Sequence, residues 1–159
     1  MQQKVVLHVY DLTNGMAKAF GRQFLGIDLD GVWHTGVVVF GKEYYFGGGI
    51  CDDNPSQTPY GKPVKSIDIG NTEIPAEMFE DYLKELRPKY TTESYDLFEK
   101  NCNNFSDEIC HFLTGVGIPK DIIDLPKRIL ATPMGQMFKP MLTQMQGSIQ
   151  NASHQHYFQ

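Results

Sequence analysis

The stretch EKNCNNFSDEICHFLTG, Glu99 to Gly115, sets one cysteine among three asparagines just before an apolar run with helical spacing. Phe105, Ile109, Phe112 and Leu113 fall on one face, asparagine suits the cap position, and Gly115 supplies a C-terminal stop. These features predict a helix that starts near residues 101–103, with Cys102 in its first turn. A thiol in that place could be a nucleophile, a metal ligand or a small buried residue. The unpaired N–H groups and positive end of a helix favour thiolate, and the same N–H groups can hold an oxyanion formed at an attacked carbonyl. Free cysteine is also among the most buried residue types, so residue chemistry alone leaves the nucleophilic and the inert readings open.

The other two cysteines contrast with it. Cys110 lies eight residues further along the same helix, where no dipole advantage remains. A helical rise of about 1.5 Å per residue places it roughly 12 Å from Cys102, beyond disulfide reach. Cys51 follows a glycine run in an expected loop, where it is either inert or exposed and redox-sensitive.

A nucleophilic thiol needs a base brought to it by the fold. Of the five histidines, His154 and His156 lie in a polar tail, His111 adjoins Cys110 on the solvent side of its helix, and His8 sits within a strand. His34, in GVWHTG, stands at the front of the most apolar strand, where a polar ring is costly without a partner. It reads as a hydrogen-bonded core histidine or as the partner of Cys102. Metal-ligand spacing is missing: CNNFSDEICH contains no CxxC or HxxxH, and no metal is expected. The run FGGGI lacks the pattern of a phosphate loop. Gly47, Gly48 and Gly49 there are expected to permit a bend or the close approach of a substrate chain, with Trp33 beside them.

The rest of the chain supplies the frame. Lys4 to Leu12 reads as a buried strand. Gly31 to Gly49 reads as a hairpin turning at Gly41-Lys42, with Val32 to Phe40 a central strand covered on both faces. Asn14 to Gly26 could hold one helical turn, but its glycines favour a loop; Ile50 to Pro63 reads as a loop and Val64 to Gly70 as a short strand. Thr72 to Leu86 is a helix with Pro75 in its first turn and a stripe of Met78, Phe79, Tyr82, Leu83 and Leu86. Ile118 to Met145 forms one or two helices broken by prolines. Its stripe of Met134, Met137, Phe138, Met141, Leu142 and Met145 is either a packing face or a partner surface. From Gln146 the chain is polar and expected to be disordered.

With 159 residues, 41% hydrophobic and 21% charged, the chain suits one domain with its own core. A net charge of -5 and no cluster of Lys or Arg speak against nucleic acid as a partner. No signal-like N-terminal segment and no apolar run of membrane length stand out, and three cysteines suggest a reducing compartment.

Taken in order, VYDL, GVWHTGVVV, EYYFGGGI, NCNNFSDE, FLTG with IP, and DLP with ATPMGQ resemble the PPPDE superfamily, most closely its desumoylating isopeptidase members of the first type. The likeness runs from about Val5 to about Pro140, so residues 4–142 are expected to form the domain and 143–159 a tail. The resemblance implies an α+β, circularly permuted papain-like cysteine peptidase fold, in which histidine precedes cysteine along the chain. It implies His34 and Cys102 as the catalytic pair, no cofactor, and Asn101 and Tyr10 as candidates for oxyanion or orienting roles. It further implies thiol isopeptidase activity on SUMO-conjugated proteins, with ubiquitin conjugates or S-acylated proteins as alternative substrates. A non-catalytic adaptor for a ubiquitin-like protein is the alternative of another class. Homodimers, and a cytoplasmic and nuclear location, also follow from the resemblance.

Overall fold

The computed structural model describes residues 2–137, 139–141, 143, 144 and 147. Its centre is one antiparallel sheet of β1 (Gln3–Asp11), β2 (Trp33–Val39), β3 (Lys42–Gly47), β4 (Gly49–Asp53) and β5 (Lys65–Thr72), in the order β4-β3-β2-β1-β5. The helices are α1 (Ala17–Phe20), α2 (Ala76–Leu86), α3 (Cys102–Thr114), α4 (Lys120–Ile123) and α5 (Leu125–Leu130). Alternation decides which sheet face is inside. Val5, Leu7 and Val9 on β1, with Thr35, Val37 and Val39 on β2, are buried on one face. Phe79 and Leu83 of α2 and Phe105 and Ile109 of α3 complete the core against it. Burial of each such side chain contributes roughly 1.5–3 kcal/mol before entropy is counted.

Several local expectations shift. The first hairpin turns at Phe40-Gly41, one residue earlier than Gly41-Lys42, and both residues have positive φ (54° and 76°). A two-residue turn of this hand matches strand twist, and contact of the Phe40 ring with Phe79 at 5.7 Å helps hold a bulky residue there. Ile50–Asp53 is strand, because Gly49 at φ +83° reverses the chain tightly enough for β4 to pair with β3. Residues 14–26 hold α1 and a π-helical turn (Gly21–Leu25) in place of a plain loop. On α2 the buried stripe is Phe79, Leu83 and Leu86. Met78 is 53% exposed, and Pro75 caps the helix from outside its first turn. β2 is central and covered on both faces, as expected: Thr35 and Val37 are buried on one side and His34 on the other. Met134 packs against the core while Met137 and Met141 are exposed. Phe138, Leu142 and Met145 lie outside the described residues, as does the tail from 148 onward.

The feature that builds the site is a gap in the ladder. β2 is hydrogen-bonded to β1 along its whole length, down to Asp11↔Trp33, but to β3 only from Val37 to Val39. β3 pairs with β4 on its other edge from Glu43 to Gly47, so Tyr45, Phe46 and Gly47 keep that partner alone. Residues 33–36 of β2 therefore present one unpaired edge, which something else must satisfy.

Candidate active site

The start of α3 fills that gap. Asn101 is its N-cap: Oδ1 accepts the backbone N–H groups of Asn103 (2.8 Å) and Asn104 (3.1 Å), and Asn104 Oδ1 accepts the Asn101 N–H in return (2.9 Å). Nδ2 of Asn101 donates to the Leu97 carbonyl at 2.8 Å, so its amide is committed to holding the helix entry. Asn103 then reaches across to the open edge. Its Nδ2 donates to the Trp33 carbonyl at 3.0 Å, and its Oδ1 accepts the Thr35 hydroxyl at 2.8 Å. Ser106, one turn on, lies 2.8 Å from the same hydroxyl.

This docking seats Cys102 against the β2 backbone as the first residue of α3. The N–H groups of Thr35, Cys102 and Asn103 point at its sulfur, and the Tyr95 hydroxyl lies 3.7 Å away. These donors favour thiolate, yet the side chain is almost wholly buried and the net effect of burial keeps its pKa above that of an ordinary thiol. The resting thiol is therefore protonated, contrary to the thiolate that a helix N-terminus alone suggests. Cys110 is fully buried, and its pKa is pushed up to about 12 by burial and by nearby Asp107. Cys51 is buried in β4, not exposed in a loop, and burial followed by Asp53 and Asp52 raises it to about 12.

His34 projects from β2 to the face opposite Thr35. Its ring is 0% exposed and packs among Tyr10 (5.5 Å), Tyr45 (5.9 Å) and Tyr60, which stacks on it at 3.5 Å and 19°. Among the described residues neither ring nitrogen has a hydrogen-bond partner. Burial alone lowers its pKa to about 3, so the resting imidazole is neutral. The Cys102 sulfur thus lies against the N–H of the residue that follows His34, with no hydrogen bond between the two side chains.

The other expected residues have definite places. Tyr10 lies beside His34 in register, but its hydroxyl donates to Glu43 at 2.6 Å, away from the sulfur. Trp33 lines a small groove together with Cys102, Asn101, Phe98, Pro126 and Ile129. Gly47, Gly48 and Gly49 do not line it; they form the β3–β4 reversal, where Gly47 pairs with Gly49. Sequence reasoning passed over Tyr95, Thr35, Asn103 and Ser106. Thr35 and Asn103 adjoin the expected pair in sequence, which was the one available signal. Tyr95 carried none, since only folding brings its loop to α3.

No helix among the described residues is long and apolar enough to cross a membrane. A family model described as "PPPDE putative peptidase domain" matches residues 3–143. The chain is 45% identical to Desumoylating isopeptidase 1 of Homo sapiens, covering 89% of this chain and 86% of the relative. It is 42% identical to the Xenopus laevis protein of that name, covering 89% and 85%, and 33% identical to DeSI-like protein sdu1 of Schizosaccharomyces pombe, covering 82% and 67%. A cysteine capped at the head of a helix, a histidine on the strand it docks against, and these matches lead to one conclusion: the chain belongs to the PPPDE family of peptidases.

Proposed function

We propose that this protein is a cysteine isopeptidase that removes a SUMO-type modifier by cleaving the bond between the modifier's C-terminal glycine and a target lysine. Cys102 acts as nucleophile and His34 as acid–base partner. The observation that carries the reading is the docking of Cys102, at the capped start of α3, onto the β2 segment that holds His34, beside a groove walled by Trp33 and Phe98. The names of the human and Xenopus relatives support the substrate class.

In this mechanism the Cys102 proton passes to His34 as the sulfur attacks the glycine carbonyl. The oxyanion is held by N–H groups at the helix start. The carbon–nitrogen bond breaks, the imidazolium gives its proton to the leaving lysine amine, and a thioester remains on Cys102. Water, deprotonated by His34, then releases the glycine carboxylate and restores the thiol. Location in cytoplasm and nucleus and assembly as a homodimer belong to the same proposal, supported by the family resemblance.

The test is a SUMO probe with a C-terminal vinyl sulfone, read by mass spectrometry. Labelling at Cys102, lost in Cys102→Ser and kept in Cys51→Ser and Cys110→Ser, is the expected result. No labelling, alongside cleavage of an acyl thioester, would move the substrate class to S-acylated proteins; silence toward both would leave a binding role.

A further inference from the structure

The sheet face that carries His34 also holds a buried acidic side chain that no step of the reaction uses. Glu43 on β3 is 0% exposed. Its Oε1 lies 2.9 Å from His8 Nδ1 and accepts the backbone N–H of Ser56 at 3.0 Å, while Oε2 accepts the Tyr10 hydroxyl at 2.6 Å. Gly36 makes the room: a Cβ there would stand 2.3 Å from Oε2. The Tyr10 hydroxyl also meets Thr58. One carboxylate therefore fastens residues 56–58, in the connection between β4 and β5, to the middle of the sheet. Two residues later Tyr60 lies flat on His34. The far end of the connection is fixed where the Val64 N–H donates to the Val9 carbonyl at 2.7 Å. Between the two anchorages the chain turns through Gly61 at φ +82°.

We propose that residues 57–63 form a strap that closes over His34 in the resting chain, with Tyr60 as its contact and Glu43 as its fastening, and that His34 exchanges protons only when the strap lifts. The inference deepens the proposed function, since it rests on His34 as the acid–base partner of Cys102. A buried imidazole with both nitrogens unbonded is costly, and it can neither accept a proton from sulfur nor give one to an amine. Tyr10 and Tyr45 also cover it, but they belong to β1 and β3 and cannot leave without breaking the sheet. Tyr60 sits on a connection, whose displacement leaves the sheet ladder intact. The groups facing the ring are the phenols of Tyr10, Tyr45 and Tyr60. The Tyr10 and Tyr45 hydroxyls donate to Glu43 and Asp53, so these two carboxylates, with His8, stand one layer behind. The Cys102 sulfur lies against the N–H of Thr35, the next residue of β2. Glu43 and Tyr60 are thus positioning residues that act through His34.

Titration of ring-labelled histidines by NMR reads the strap directly. In the unaltered protein His34 stays neutral from pH 8 to pH 5. In Tyr60→Ala its pKa rises by about two units or more toward the ordinary value near 6.5. Tyr60→Phe, which keeps the ring, behaves as the unaltered protein. Glu43→Gln speeds amide exchange of residues 56–60 about tenfold. A His34 that stays silent in Tyr60→Ala overturns the strap. Hydrolysis of a SUMO–lysine conjugate, measured on the same proteins, separates the two ideas. A freed His34 without turnover in any protein removes the proposed function and leaves the strap. Normal turnover with His34 silent throughout removes the strap and leaves the function.

Discussion

Replacing His34 by phenylalanine gives a stability experiment whose magnitude follows from burial. Desolvation lowers the imidazole pKa from 6.5 to about 3 in the folded chain. Below about pH 6.5 the unfolded chain takes up a proton at this residue and the folded chain does not, so stability falls as the pH falls, until the folded pKa is reached. Each unit in that window removes up to about 1.4 kcal/mol, with a ceiling of about 5 kcal/mol. Phenylalanine keeps ring contacts with Tyr10, Tyr45 and Tyr60 and does not titrate. Its larger size adds a packing offset, on the order of 1–3 kcal/mol, that is the same at every pH. The informative quantity is therefore the change with pH of the stability difference between the two proteins, measured by urea unfolding. Between pH 6.5 and pH 5 that difference is expected to move by about 2 kcal/mol in favour of His34→Phe. A difference constant to within about 0.5 kcal/mol across that range would refute a neutral, solvent-excluded His34.

Other outcomes follow from the docking of α3. Asn103→Ala strips the Trp33 carbonyl of its donor while the Thr35 hydroxyl can turn to Ser106. It should cost about 1–3 kcal/mol and lower Tm by roughly 3–10 °C in a thermal melt. Asp11 holds the approach to β2 through hydrogen bonds from the N–H groups of Thr13, Gly15 and Val32 and the Thr13 hydroxyl. Burial alone would raise its pKa, but those bonds together bring it below the ordinary value. Its stabilising effect is thus present at neutral pH and lost as the pH falls through the lowered pKa. Asp11→Asn should lower Tm at pH 7 and make little difference near pH 3. Iodoacetamide should label Cys102 at pH 7 at least about tenfold more slowly than a free cysteine, with a rate still climbing near pH 9. A rate already level below pH 7 contradicts a protonated resting thiol.

The helix of Cys102 could be read from the sequence because its signals are local: an asparagine cap, a 3.6-residue apolar period and Gly115 at φ +78°. The β2–β3 hairpin was legible for the same reason, with its turn displaced by one residue because Phe40 tolerates the left-handed region when its ring has somewhere to pack. The gap in the ladder at residues 33–36 was not legible. β3 parts from β2 after Tyr44 while keeping β4 on its other edge, and strand pairing is a long-range choice that period-two patterning does not record. At the gap α3 docks through Asn103, which bonds the Trp33 carbonyl and the Thr35 hydroxyl. The glycine run was legible only as two alternatives for a related reason. Missing side chains suit a tight reversal and a substrate channel equally well, and only the β3–β4 pairing shows that the former use is made.

The central claim is that Cys102 and His34 act as one unit. Its most direct test is single-turnover and steady-state hydrolysis of a SUMO–lysine isopeptide by Cys102→Ala, His34→Ala and the double variant. Residues that work as a unit are strongly non-additive. The account predicts that each single change reduces kcat/KM by about a thousandfold or more, and that the double variant is no slower than the worse single variant. A His34→Ala protein within about tenfold of the unaltered enzyme, or a double variant slower by the product of two independent losses, would contradict it.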